Sequence, residues 1–120
     1  MFVGEVVDMN KNIKLQVFEK YNGHCAYCGK EITVVNFQVD HIQPIYQLGS
    51  DNINNLNPSC RSCNHYKRSY SLGGFRNLMQ TLHERLERIY IVRVALDYGI
   101  IKMKEFDGKF YFEKICETKK

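Results

Sequence analysis

The chain has 120 residues, 44% apolar and 25% charged, about the size of one ordinary globular domain, so two large domains are excluded. Its longest apolar runs, such as Ile89-Tyr90-Ile91-Val92, fall far short of the roughly 20 residues that cross a bilayer; residues Met1 to Asp8 lack the basic head and apolar body of a secretion signal, so a cytoplasmic chain without a membrane partner is expected. The net charge of +4 is unevenly spread: residues 1–51 carry −2, residues 52–83 hold no Asp or Glu and gain +4 from Arg61, Lys67, Arg68 and Arg76, and the rest carries +2, so the middle of the chain is suited to meet an anion.

In chain order, Ile13, Val17, Phe18 and Tyr21 fall near helical spacing and predict a short helix over 13–22, stopped at Asn22-Gly23 by a left-handed C-cap. Val35, Phe37 and Val39 alternate with Val34, Asn36, Gln38 and Asp40, which predicts a half-buried strand over 33–41 that delivers Asp40 and His41 at its end. Residues 43–59, rich in Asn, Gly, Ser and Pro, read as a loop returning to a second short strand near Asn55-Leu56. A helix is expected to open around Arg61 to Cys63 and run to about Tyr70.

From Phe75, the apolar residues Leu78, Met79, Leu82, Leu86, Ile89 and Tyr90 recur three or four apart, predicting one long amphipathic helix with His83, Arg85 and Arg88 among Glu84 and Glu87 on a solvated face. Gly99 can end a further helical stretch. Residues 100–106 and 109–115 around Asp107-Gly108 predict a hairpin with a type I′ turn, Met103 beside Phe112 and Lys102 opposite Glu113.

Five cysteines are too few for a disulfide scaffold, and in a reducing cytosol clustered cysteines read as metal ligands. Cys25-Ala26-Tyr27-Cys28 and Cys60-Arg61-Ser62-Cys63 are two C-x-x-C pairs separated by 31 residues, each followed by a residue suited to a tight turn, Gly29 and Asn64. Each pair can chelate one metal from two sides, and four thiolates suit a structural Zn²⁺ that holds the fold and performs no chemistry. The bland alternatives are buried apolar cysteines or a redox pair. The fifth thiol, Cys116, reads as simply packed or exposed.

Between and beside the pairs lie Asp40-His41-Ile42-x-Pro44, then Asn55-Leu56-x-Pro58-x-Cys60, then Cys63-Asn64-x-x-Lys67. With its parts in this order over residues 21–70, the chain resembles the HNH nuclease family, whose ββα-metal motif carries a zinc clip of two C-x-x-C pairs in many members. Cys63-Asn64-His65-Tyr66-Lys67, the amphipathic helix and Phe110-Tyr111-Phe112-Glu113 also resemble small HNH proteins encoded by phages of Gram-positive bacteria. The resemblance implies an α+β fold with a ββα-metal (HNH) motif stapled by a four-cysteine zinc site, to which the patterns read above add a C-terminal long helix and β-hairpin extension. One domain is expected over 1–120, its HNH/zinc core at 12–72 and its extension at 73–120, in a bacterial host or a phage-infected cell.

A phosphodiester is already anionic, so attack by water needs a base, a cation and fixed geometry. Histidine has a reference pKa of about 6.5, and the neutral imidazole of His41 can accept the water's proton. The side-chain oxygens of Asp40 and Asn64 suit hard Mg²⁺ or Mn²⁺. The resemblance implies that His41 is the base, that Asp40 and Asn64 hold the catalytic divalent ion, and that Asn55 helps position the base. It also implies DNA as the partner, cut to a 3′-hydroxyl and a 5′-phosphate. His65 beside Asn64 is the alternative ligand.

Consecutive strand residues face opposite sides, so Asp40 and His41 can reach one phosphate only if the strand bends at its end. Arg61, Lys67, Arg68 and Arg76 are expected to meet DNA phosphates. Cutting both strands from one active site would call for a homodimer. The competing readings are a non-catalytic zinc module that binds nucleic acid or protein on the same scaffold, and a nuclease that cuts RNA.

Overall fold

The structure, a computed structural model, describes residues 3–118, with side chains described from Lys11 to Cys116. Its elements are α1 (Val3–Glu19), β1 (Gln38–His41), β2 (Leu56–Ser59), α2 (Arg61–Lys67), α3 (Leu72–Gln80), α4 (Leu82–Glu87), α5 (Tyr90–Asp97) and α6 (Tyr111–Thr118), with single 3-10 turns at Ile45–Gln47 and Ile53–Asn55. They form two compact units: residues up to Ser71 together with those from Phe110 onward, and Leu72–Lys109.

The first unit is α+β, as expected. Helix α1 is longer than the predicted 13–22 stretch and ends earlier, at Glu19; Asp8, Asn10 and Asn12 are weak helix formers that hide its first half from propensity reasoning. Its end is the predicted left-handed stop, with Asn22 and Gly23 both at positive φ and Gly23 N–H bonded to the Phe18 carbonyl at 3.2 Å. Val17 is buried, the Phe18 ring meets Phe37 edge-on at 5.3 Å, and Lys20 Nζ donates to the carbonyls of Ile53 and Leu56 at 3.1 and 2.7 Å. The helix thereby holds the start of β2.

Strands β1 and β2 pair antiparallel in the register Gln38↔Ser59, Val39↔Pro58, Asp40↔Asn57 and His41↔Leu56. The predicted strand over 33–41 is therefore only its last four residues. Thr33 and Asn36 close a local turn through a 2.5 Å bond between Oγ1 and Oδ1, which competes with a ladder and leaves Val35 91% exposed. Helix α2 stops at Lys67, three residues short of the expected end, because Arg68 turns to φ +52 while its N–H bonds the Asn64 carbonyl.

The predicted C-terminal hairpin does not form. Among the described residues, 101–110 contain no strand, and Glu113 does not face Lys102: its Oε1 accepts the Phe110 N–H at 2.8 Å, half of a capping box that starts α6. Phe112 packs with Tyr21 and Tyr27, both at 6.0 Å between ring centroids, rather than with Met103. Tyr111 and Phe112 donate their N–H groups to the carbonyls of Tyr27 and Ala26 at 3.1 and 2.8 Å. Phe110, fully buried and edge-on to Tyr27, completes the core of this unit with Val17, Cys25, Ala26, Tyr27 and Leu56.

In the second unit the long helix predicted from Phe75 to Tyr90 is broken into α3 and α4, and α5 is the further helical stretch expected before Gly99. The apolar spacing runs through the breaks, so periodicity cannot see them. Thr81 Oγ1 reaches the Asn77 and Leu78 carbonyls at 3.3 Å each and Arg85 Nη2 also bonds the Leu78 carbonyl, ending α3 with side-chain donors; Arg85 is thus not simply solvated. Ile89 adopts an extended ψ of 122° between α4 and α5. Gly99, at φ +72, follows α5 as predicted. No described helix is long and apolar enough to cross a membrane.

Candidate functional site

The two C-x-x-C pairs come together. The four Sγ atoms of Cys25, Cys28, Cys60 and Cys63 lie within 4.8 Å of one another, and those of Cys28 and Cys60 are 3.8 Å apart. Sulfurs bound at roughly 2.3 Å to one tetrahedral ion would sit about 3.8 Å from each other, so the donor set fits such an ion in element and spacing.

Each pair is prepared by its backbone. The first lies in a turn closed by Cys25 N–H to the Lys30 carbonyl at 2.8 Å and Gly29 N–H to the Cys25 carbonyl at 3.0 Å, with Gly29 at φ +82. A Cβ at Gly29 would stand 2.7 Å from the Tyr111 ring, so both conformation and packing against α6 require glycine there. The second opens α2, where Cys60 is the N-cap and its sulfur accepts the Cys63 N–H at 3.3 Å. Ala26 N–H, bonded to the Pro58 carbonyl at 2.8 Å, ties the first pair to β2.

Beside the clip, a cavity of about 290 Å³ is lined by Asp40, His41, Asn64 and Arg68, together with Ile45 and Tyr46. Three of the four residues predicted to act on a phosphodiester thus line one cleft. Asp40 and its neighbour His41, the last residue of β1, both line it. Asn64, and not His65, is among the lining residues.

Asp40 is 4% exposed, its Oδ2 accepts the Tyr27 hydroxyl, and Lys67 Nζ lies 3.2 Å from Oδ1 and 3.1 Å from Oδ2. Burial lifts its carboxyl above the ordinary aspartate value, against the opposing pull of the Tyr27 hydroxyl and the Lys67 ammonium. Burial and then the Asp40 charge push Tyr27 in the same direction, so its hydroxyl stays a proton donor. A carboxylate has about four lone-pair sites, so these partners leave it capacity for a further cation.

Lys67 corrects the expectation that it meets DNA. It is fully buried, and its Nζ is committed to Asp40, to the His41 carbonyl at 2.9 Å and to the Tyr70 carbonyl at 2.9 Å, which exhausts three ammonium donors. It is an internal counter-charge. Arg61 and Arg68 are exposed, as phosphate contacts require, and Arg68 is at the cleft. Arg76 is half-buried in the second unit, its Nη1 bonded to the Gly108 carbonyl at 2.6 Å.

Asn55 does not line the cleft. Its Oδ1 accepts the Gln43 N–H at 2.9 Å, and its Nδ2 donates to the carbonyls of Gln43 and Ser50 at 3.1 and 2.8 Å. It therefore pins both ends of the 43–50 loop that follows His41. Within that loop a Cβ at Gly49 would lie 1.7 Å from the Gln43 carbonyl oxygen. Gly49→Ala is accordingly expected to open the loop at an overpacking cost of about 1–3 kcal/mol, read as a lowered thermal midpoint; an unchanged midpoint would mean that the loop closes differently.

Two residues of the site are not singled out by any motif. Tyr27 occupies a variable position inside the first C-x-x-C pair, and nothing in its spacing marks it as the partner of Asp40. Asp51, in Gly49-Ser50-Asp51-Asn52, reads as an ordinary turn residue, yet its Oδ1 is 2.7 Å from His41 Nε2.

A two-stranded sheet and a following helix, with four clustered cysteines and the adjacent Asp40 and His41 at a cleft, form a ββα arrangement. Residues 25–69 match the HNH endonuclease family model. Over 55 residues, 45% of this chain, the sequence is 42% identical to the CRISPR-associated endonuclease Cas9 of Corynebacterium diphtheriae. A crystal structure of the Type II-C Cas9 enzyme from Actinomyces naeslundii superposes on 57% of the chain with a TM-score of 0.52 and 26% identity. The similarity spans only 5% of the Corynebacterium protein and 8% of the Actinomyces chain.

Proposed function

We propose that this chain is a metal-dependent DNA endonuclease in which His41 takes the proton of the attacking water. The observation that carries this reading is the convergence of Asp40, His41 and Asn64 on one cleft beside the cysteine clip. Asp40 and Asn64 offer hard oxygen donors for Mg²⁺ or Mn²⁺, and the four cysteines offer a soft tetrahedral set for structural zinc. Bound at Asp40 and Asn64, a divalent ion would neutralise charge developing on the phosphate.

The chain's own residues do the rest. Lys67 and Tyr27 hold the Asp40 carboxylate in place from the protein side, so the aspartate is oriented before any cation arrives. Arg68, exposed at the cleft, can pair with a substrate phosphate, with Arg61 further along α2. His41 stands at 28% side-chain exposure, open enough to exchange its proton with solvent after each turnover. Cleavage of both strands would use two copies of the chain, one cleft per strand, in the reducing cytoplasm of a bacterium or a phage-infected cell.

The test is incubation with supercoiled plasmid and Mg²⁺ or Mn²⁺, and in parallel with RNA. The wild-type protein is expected to nick or linearise DNA, and His41→Ala to lose about a hundredfold or more, the usual contribution of a general base. Cutting of RNA alone would change the substrate. DNA binding without any cutting would make the chain a zinc-stabilised binding module.

A further inference from the structure

We propose that Asp51 is a positioning residue for His41: its carboxylate holds the imidazole through Nε2, aims Nδ1 at the substrate water, and stabilises the imidazolium formed when the proton is taken. The inference rests on the nuclease reading of the cleft. A neutral imidazole has one N–H and one lone pair, so a carboxylate 2.7 Å from Nε2 places the proton there and leaves Nδ1 as the acceptor. An orienting acid behind a histidine base has this logic in unrelated hydrolases.

The loop that carries Asp51 is built to present it. Asn55 grips the Ser50 carbonyl on one side of Asp51 and the backbone of Gln43 two residues past His41. On the other side Asn52 Oδ1 accepts the Asn54 N–H at 2.9 Å, starting the 3-10 turn that leads back to Asn55. The Ile42 N–H is bonded to the Asn55 carbonyl at 2.8 Å, so base and acid hang from the same residue. This gives Asn55 a physical task at a distance from the cleft.

Stability does not account for the pair. Asp51 is 83% exposed, and ion pairs in such surroundings contribute little to folding. Substrate affinity argues against it, since an exposed carboxylate beside a phosphate site repels the substrate. A plain surface acid at this position would therefore be an obstacle, and its removal would tighten DNA binding without slowing the cut.

That opposition makes the experiment decisive. Plasmid cleavage by wild type, Asp51→Ala and Asp51→Glu is followed at saturating Mn²⁺, with kcat, KM and the thermal midpoint measured for each. Asp51→Ala is expected to lower kcat by about tenfold to a hundredfold, as for other groups that orient a functional side chain, with KM equal or lower and the midpoint unchanged; Asp51→Glu restores most of the rate. Wild-type kcat in Asp51→Ala overturns the assignment while leaving the nuclease reading intact, as does a rate loss matched by a fall in midpoint or not repaired by Glu. A wild-type protein that cuts nothing overturns the nuclease reading, and this assignment with it.

Discussion

Stripping the metal from the four cysteines is expected to unfold the first unit. Its apolar core is small, built on Val17, Ala26, Tyr27, Leu56 and Phe110 around the sulfurs themselves. The clip joins segments 31 residues apart in sequence, and both β2 and α6 are bonded to the turn that carries Cys25 and Cys28. Structural zinc in small domains binds with about 10–16 kcal/mol of free energy that appears as folding energy, whereas a whole domain is stable by about 5–15 kcal/mol. Removing a term of that size leaves a balance near or below zero.

The thiols show what the ion would replace. The Cys25 sulfur is drawn down to about 4, chiefly by its hydrogen bond with the Cys63 thiol, while burial pushes Cys28 up to about 11 and Cys63 is raised chiefly by its bond with Cys25. The clustered thiols share protons, which an ion must displace to bind. Affinity should therefore fall as pH falls, because acid returns protons to the ligands. With a strong chelator at neutral pH, partial loss of the α-helical circular dichroism signal, the share of α1, α2 and α6, is expected together with release of one zinc per chain, and Cys60→Ser is expected to show the same loss without bound zinc. A protein that retains its melting transition after its metal content has reached zero would show that the core stands without the clip.

What the sequence reveals about this molecule follows the range of the interactions. Metal-ligand spacing is local within each C-x-x-C pair, and sulfur chemistry leaves few alternatives, so Cys25, Cys28, Cys60 and Cys63 are legible without coordinates. The order of Asp40, His41 and Asn64 between and after the pairs marks them as a set in the sequence, and they line one cleft. The hairpin reading fails for a reason that is equally local: Lys109 to Ile115 has a pattern compatible with a strand, and only the Glu113 side chain folding back on the Phe110 N–H makes it a helix. The breaks at Thr81 and Ile89 interrupt the backbone while the apolar stripe continues, so a period cannot detect them. Tyr27 and Asp51 escape because they act across space on residues 13 and 10 positions away, from places where tyrosine and aspartate are ordinary.

Lys67 is the instructive error, and replacing it should produce the second large effect. A lysine one residue before an arginine, on a helix in an acid-free stretch, has the composition of a phosphate-binding face. Its position on α2 instead turns it inward to Asp40, at 0% exposure against 4% for its partner. Breaking a buried ion pair from one side leaves an uncompensated charge, which typically costs about 3–5 kcal/mol. Lys67→Met, similar in length and apolar, is therefore expected to lower the denaturant midpoint strongly, by a large part of a small domain's stability, whereas Arg61→Ala on the exposed face of the same helix should stay within about 0.5 kcal/mol. Pairing Lys67→Met with Asp40→Asn removes the stranded charge, so the double variant should be more stable than Lys67→Met alone, and the cycle isolates the pair's coupling from the packing of each side chain. If Lys67→Met instead retains the wild-type midpoint and merely weakens DNA binding in a salt-dependent way, Lys67 faces the phosphates after all and the buried pair is not the state that matters.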